Sequence, residues 1–92
     1  MRKPRYTGQF KKDIKKLESS GYKDMEKIKT VVRKLIAGET LERKYKDHPL
    51  TNDLKGHRDC HIEPDWILIY KIDEDVQEIT FVRTGSHSEL FG

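Results

Sequence analysis

The sequence predicts an α+β domain. A short N-terminal strand and an antiparallel helical hairpin pack on one face of a small antiparallel β-sheet, and a short C-terminal tail follows. Three observations carry that prediction. Apolar residues recur with the helical period between Thr7 and Gly38, two-fold alternation takes over after Gly56, and turn residues punctuate the remainder. Ninety-two residues allow one small core, so residues 1–92 are read as a single domain.

Lys3-Pro4-Arg5-Tyr6 reads as an extended segment that Pro4 confines to a sheet edge or a strand start. Thr7 is the N-cap of a helix whose apolar stripe is Phe10, Ile14 and Leu17, with Lys11, Lys12, Lys15 and Lys16 on its other faces. Gly21 ends it, because glycine takes the left-handed conformation that closes a helix. Asp24 caps a second helix with the wider stripe Met25, Ile28, Val31, Val32, Leu35 and Ile36, and Gly38 closes it. A short loop between two amphipathic helices gives an antiparallel hairpin.

Residues 39–55 show no period and read as a long loop with His48-Pro49 in its middle, a length that is often functional. In the strand after Gly56, His57, Asp59 and His61 alternate with Arg58, Cys60 and Ile62. Cys60 and Ile62 form the core side, which leaves the two histidines and Asp59 on the opposite face. Glu63-Pro64-Asp65 is a turn, and residues 66–71 form an almost continuous apolar strand, buried on both faces. Asp73-Glu74-Asp75 is the next turn. Residues 76–84 form a third strand in which Ile79, Phe81 and Arg83 share one parity. His61 and Arg83 come within reach of each other if the two strands are near neighbours, as short turns would make them. Gly85 ends the strand, and Ser86 opens a tail with room for one helical turn.

The composition is very polar, 34% hydrophobic against 38% charged. So small an apolar fraction points to a partner that covers part of the surface, or to a fold of modest stability. The single cysteine, Cys60, excludes an internal disulfide and fits a reducing cytosol. No stretch is apolar enough for a transmembrane helix, and no apolar run follows the basic start, so the expectation is a cytoplasmic protein without a signal peptide. The net charge of +3 hides an asymmetry: residues 1–46 hold fifteen Lys/Arg against six Asp/Glu, and residues 47–92 hold four against ten. A basic first half suits a polyanion; a solvated lysine-rich helix pair explains it equally well.

The second half carries His48, His61, Asp65-Trp66, Arg83, His87 and Phe91 in series, with Arg58 just before His61. Cutting RNA within a strand uses the 2′-hydroxyl as nucleophile. One group takes its proton, another protonates the leaving 5′-oxygen, and cations steady the phosphorane. Histidine does the proton work near neutral pH, arginine clamps phosphate oxygens, and aromatics stack on bases. Each residue also has an ordinary reading. His57 is a solvated surface group; His48 orders its loop, His61 bonds within the sheet, and His87 caps the tail. Arg83 pairs with Asp59 or Asp65, and Trp66 belongs to the core. Phe91 has little core to join. The histidine spacings are not those of zinc sites, and no nucleotide-binding glycine loop, nucleophile elbow or redox cysteine pair is present, so neither metal nor cofactor is expected.

Together, His48-Pro49-Leu50, the run from Lys55 to His61, Pro64-Asp65-Trp66 with its apolar strand, Arg83-Thr84-Gly85-Ser86-His87 and Leu90-Phe91-Gly92 resemble the YafQ-type toxins of the RelE/ParE superfamily. The resemblance covers essentially the whole chain, and its specificity lies in the combined pattern. It implies a RelE-like fold and a prokaryotic toxin of a type II toxin–antitoxin pair that cuts mRNA in the ribosomal A site without a metal, stopping translation. It implies His48, His61, Asp65 and His87 as the catalytic set, with His87 as proton donor. Trp66, Arg83 and Phe91 would support substrate or phosphate, joined by Arg58 as a second guanidinium. Lys11, Lys12, Lys15 and Lys16 would rest on rRNA. The partners expected are the ribosome, mRNA and a small antitoxin with a disordered, acidic C-terminal segment. Two alternatives stay open: a ribosome-independent RNase of the same fold, and a non-enzymatic ParE-like gyrase-targeting or protein-binding module.

Overall fold

Caps set both long helices. The computed structural model describes residues 1–92, apart from the side chain of Asn52. The first helix, α1, spans Gly8–Ser20, and Thr7 accepts the Phe10 N–H at 3.0 Å. The Thr7 hydroxyl also donates to the Val82 carbonyl at 2.7 Å, which pins the helix start to the sheet. The second helix, α2 (Met25–Ala37), begins at Asp24, whose carboxylate accepts the Glu26 N–H. Gly21 (φ 70°) and Gly38 (φ 85°) take the left-handed conformation that ends each helix.

Five strands form one sheet: β1 (Lys3–Tyr6), β2 (His48–Pro49), β3 (Arg58–Glu63), β4 (Trp66–Asp73) and β5 (Glu78–Gly85), in the order β1-β5-β4-β3-β2. Strands β2 to β5 run antiparallel, whereas β1 joins β5 in parallel and makes the sheet mixed. The free edge of β5 supplies the partner that Lys3–Tyr6 needs, starting with the Lys3 N–H to the Gln77 carbonyl at 2.8 Å. The expected long loop is more ordered than its sequence suggests. It holds 3₁₀ turns at Arg43–Tyr45 and Asn52–Leu54, with the two-residue strand β2 between them.

The helices cover one face of the sheet. Phe10, Ile28, Val31 and Leu35 pack with Cys60, Ile62, Trp66, Leu68, Tyr70, Ile79 and Phe81. Phe81 is fully buried, and its ring lies 5.5 Å from Tyr6 and 5.9 Å from Phe10, so one aromatic cluster joins β1, α1 and β5. From Trp66 to Tyr70 β4 is buried on both faces, as its apolar run requires. A bulge then alters the expected parity of β5. Ile69 pairs with Arg83 but Tyr70 pairs with Phe81, so Val82 is the extra residue. Arg83 therefore leaves the parity of Ile79 and Phe81.

The tail forms a third helix, α3 (His87–Phe91), short enough that its caps decide whether it exists. Ser86 accepts the Glu89 N–H, the Glu89 carboxylate accepts the Ser86 N–H at 2.9 Å, and the same carboxylate meets the Lys16 ammonium of α1 at 2.6 Å. Gly85 lets this helix sit close: a Cβ there would lie 3.1 Å from Glu89 Oε1 and 3.5 Å from Leu90 Cδ2.

Two expectations follow. Phe81→Ala should cost about 3–5 kcal/mol of unfolding free energy in a urea titration; a loss under about 1 kcal/mol would show that the cluster is not the core. Hydrogen bonding to Lys16, then to Ser86, holds the Glu89 carboxyl at about 2 against an ordinary 4.5. A carboxyl with a depressed folded pKa stabilises fully above its unfolded value and loses that contribution as pH falls through the folded one. Amide exchange in α3 should accordingly quicken between about pH 4.5 and about pH 2, beyond the intrinsic trend, and Glu89→Ala should reduce that dependence.

Candidate active site: a row of histidines on the open sheet face

Alternation in β3 turns Cys60 towards the helices and Asp59 and His61 away from them, as the sequence pattern requires. Strand β2 then places His48 directly across from Asp59. The Pro64-Asp65 turn and the first residue of α3 bring Asp65 and His87 to the same place. Three imidazoles and a phenyl ring result in a row. Ring centroids are 6.4 Å apart for His48 and His61, 5.4 Å for His61 and His87, and 6.2 Å for His87 and Phe91. Phe91 is 46% exposed, which makes it the one ring of the row with an apolar face turned to solvent.

Hydrogen bonds assign the ring nitrogens. His48 Nδ1 lies 2.7 Å from the Lys46 carbonyl, and His61 Nδ1 lies 3.2 Å from the Pro64 carbonyl. A carbonyl only accepts, so Nδ1 carries the proton in both, and in the neutral rings Nε2 keeps its lone pair. His87 differs. Its Nδ1 lies 2.8 Å from Asp65 Oδ1, which also accepts the His87 backbone N–H at 3.0 Å. That backbone bond, then the bond to the ring, holds the Asp65 carboxyl below its usual range, so it stays ionised beside the imidazole. Two histidines have carbonyl-fixed basic faces, and the third has an anionic partner. Beside His61 an open cleft of about 350 Å³ is lined by Lys44, Lys46 and Tyr45 among others.

The row contains His48, His61, Asp65, His87 and Phe91, but not every candidate reaches it. Trp66 is fully buried and donates from Nε1 to Thr84 Oγ1 at 2.9 Å, so it offers a ligand no stacking surface. Arg58 has the parity of Cys60, away from Asp59. Its guanidinium forks onto both Asp47 oxygens at 3.3 Å, and the Tyr70 hydroxyl donates to the same carboxylate. Burial, then that hydrogen bond, pushes the Tyr70 hydroxyl well above the ordinary phenol range. The Arg58–Asp47–Tyr70 group thereby anchors the segment that carries His48, and Arg58 stands outside the histidine row. Arg83 is separated from His61 by β4, and its fork holds both Asp13 oxygens at 3.2 Å rather than Asp59 or Asp65. Its side chain is one-third exposed, so part of the guanidinium faces solvent. His57 is half-buried rather than a surface group and lies outside the row. Of the four lysines, Lys11, Lys12 and Lys15 are exposed, whereas Lys16 is tied to Glu89. Among the described residues, no group of three or more His, Cys, Asp or Glu is arranged to hold a metal ion.

Two carboxylates, Asp13 and Asp59, have partners that the sequence pattern does not reveal. Asp13 stands among Phe10, Ile14 and Leu17 at helical spacing, and an acid in an apolar stripe was the available signal. It is buried, and besides Arg83 it accepts the Thr84 N–H where β5 has run past the end of β1. Asp59 was on the correct face, but its neighbour His48 comes from a strand with no periodic signature.

The description "Bacterial toxin of type II toxin-antitoxin system, YafQ" belongs to a family whose model matches residues 2–92. A relative from Escherichia coli strain B / BL21-DE3, named mRNA interferase toxin YafQ, is 50% identical over 88 residues, which cover 95% of this chain and 92% of the relative. The toxin chain in the crystal structure of the E. coli DinJ-YafQ complex superposes with a TM-score of 0.89 at 48% identity, covering 100% of both chains. A metal-bound toxin from Helicobacter pylori superposes with a TM-score of 0.90 at 42% identity, covering 99% of this chain and 100% of that one. No helix among the described residues is long and apolar enough to cross a membrane. With its helical hairpin, mixed sheet and near-complete match, the chain belongs to the YafQ family of bacterial type II toxin–antitoxin toxins.

Proposed function

We propose that this protein is an mRNA interferase: an endoribonuclease that cuts mRNA in the ribosomal A site by metal-independent acid–base catalysis, within the bacterial cytoplasm. The observation that carries the reading is the assignment of nitrogens along the histidine row. In the neutral state His48 or His61 accepts the 2′-hydroxyl proton at Nε2. The 2′-oxygen attacks the adjacent phosphorus, and the P–O5′ bond breaks. His87, protonated and backed by ionised Asp65, delivers a proton to the leaving 5′-oxygen. The products are a 2′,3′-cyclic phosphate and a 5′-hydroxyl, and both histidine roles reset by proton exchange with water.

Arg83 serves this chemistry at a distance fixed by Asp13. Two of its five N–H donors are committed there, and the remainder can face a phosphate. Phe91 gives a base its stacking face next to the proton donor. Lys11, Lys12 and Lys15 would contact rRNA phosphates without reading sequence. Activity of this kind in a living cell requires a silencing partner. A small antitoxin with an acidic segment, disordered when free and folding on this surface, fits the basic helical half. The E. coli relative in complex with DinJ supports that expectation.

His87→Ala should lower mRNA cleavage on programmed ribosomes by about 10²–10⁴-fold with little change in melting temperature, since the ring is half-exposed. Parent-like cleavage would remove His87 from the proton-donor role. Mapped cuts on naked RNA would identify a ribosome-independent RNase, and no cuts under either condition would point to a binding module. Cleavage should also survive EDTA at a magnesium concentration that keeps ribosomes intact. Loss of activity restored by zinc or copper alone would replace the proton-transfer scheme with a metal site, a pertinent outcome given the metal-bound H. pylori relative. Finally, charge reversal of Lys11, Lys12 and Lys15 should flatten the salt dependence of ribosome binding by about one unit of log–log slope per lost phosphate contact. An unchanged slope would make this helix a plain solvated face.

A further inference from the structure

We infer that Asp59 is a positioning residue, the buried counter-charge to which the His48 imidazole turns when it takes up a proton. The inference rests on the acid–base reading above and deepens it. Asp59 lies mid-strand in β3, between His48 on β2 and the apolar Ile69 on β4, and is only 3% exposed. Its Oδ1 has no hydrogen-bond donor. His48 Nδ1 lies 3.1 Å away, within ion-pair range, but its N–H points to the Lys46 carbonyl at 2.7 Å instead. A buried carboxylate with an idle oxygen is costly unless it has a task.

The charged and titratable groups that face Asp59 are His48 from β2, His61 from its own strand, His87 from α3 and Asp47 from the segment before β2. Neither nearby arginine serves it: Arg58 is held by Asp47 and Arg83 by Asp13. Burial accordingly pushes the Asp59 carboxyl up, while the three imidazoles oppose that shift. Burial and the Asp47 carboxylate both work against its charge, so among the groups that face it only the histidines can balance it.

Proton transfer gives the idle oxygen its use. When the 2′-O–H bond breaks and the N–H bond forms at His48 Nε2, the ring becomes an imidazolium whose Nδ1–H is a stronger donor. A carboxylate accepts such a bond better than a carbonyl does. A small ring rotation exchanges Lys46 for Asp59, and Asp59 remains a carboxylate throughout. Each end of the row then has its own anion within hydrogen-bond range, Asp59 under His48 and Asp65 beside His87, while His61 between them faces Asp59 from farther off and bonds to a carbonyl. That difference assigns the 2′-proton to His48 rather than His61.

The test is an NMR titration of the imidazoles in the parent and in Asp59→Asn, accompanied by the pH profile of single-turnover cleavage. Removing the negative charge should move the His48 midpoint down by about one unit and His87 by much less. The rising limb of the cleavage profile should follow it to lower pH, with a maximal rate reduced about 10-fold or more. Asp59→Glu, which keeps the charge, should hold the His48 midpoint near the parent value. An unchanged His48 midpoint in Asp59→Asn, alongside a lower melting temperature, would make Asp59 a structural carboxyl and overturn the inference. The imidazole titrations decide the pairing even if the protein cuts no RNA, which separates failure of this inference from failure of the proposed function. If Asp59→Asn does not fold, the carboxyl ¹³C shift of Asp59 in the parent decides. It should report an ionised group that senses His48 titration, and a group protonated across about pH 6 to 8 would overturn the inference.

Discussion

A central strand buried on both faces needs two covers, and the architecture follows from meeting that requirement in ninety-two residues. One cover is conventional: the stripes of α1 and α2 lie over Trp66, Leu68 and Tyr70. The other face of β4 presents Ile67 and Ile69, at 0% and 2% exposure, yet no third apolar layer is available. Their cross-strand neighbours are His61 and Asp59 on one side and Gly85 and Arg83 on the other. Polar residues and the short α3 complete the second layer, so the candidate site is also part of what keeps the sheet dry. Placing polar groups over an apolar floor strengthens their mutual electrostatics and makes unpaired ones costly. Asp59, directly across from Ile69 and with an unpartnered oxygen, is where that cost falls.

The charge segregation along the sequence is partly cancelled in three dimensions. Lys23 and Lys27 of the basic half meet Glu63 at 3.0 and 2.9 Å, and Lys16 meets Glu89 at 2.6 Å. Exposed pairs of this kind contribute only about 0–1 kcal/mol each to stability. Their consequence is positional, since they tie the helical layer to the turn before Asp65 and to the helix that carries His87. Lys11, Lys12 and Lys15 remain outside these pairs. The basic half therefore has two parts, one that secures the site and one available to a polyanion.

Asp13 shows how a single buried carboxylate links fold and function. Where β1 ends, β5 continues with an unpaired edge, and a buried N–H without a partner is costly. Asp13 accepts the Thr84 N–H at 3.1 Å, closes that edge and fixes the Arg83 fork with the same two oxygens. Thr84 in turn accepts from Trp66 and donates to the Ile67 carbonyl at 2.8 Å. Trp66, which the family resemblance placed in substrate support, is thus packed in the core beneath the site, as its own residue reading expected.

Local rules already determined most of the fold. Thr7, Gly21, Asp24 and Gly38 bound the helices because caps act over three or four residues, and two-fold alternation placed Asp59 and His61 opposite Cys60. Residue chemistry likewise singled out a set of which the structure gathers His48, His61, Asp65, His87 and Phe91. Tertiary structure alone decided the rest, because each remaining feature depends on a partner distant in sequence. The parallel pairing of β1 required the free edge of β5; the bulge at Val82 that reversed the parity of Arg83 required register with β4. The fates of Arg58, Arg83 and Trp66 were set by Asp47, Asp13 and Thr84, which alternation and capping do not connect to them. The ring nitrogens of His48 and His61 were assigned by backbone carbonyls whose directions exist only once the chain has folded.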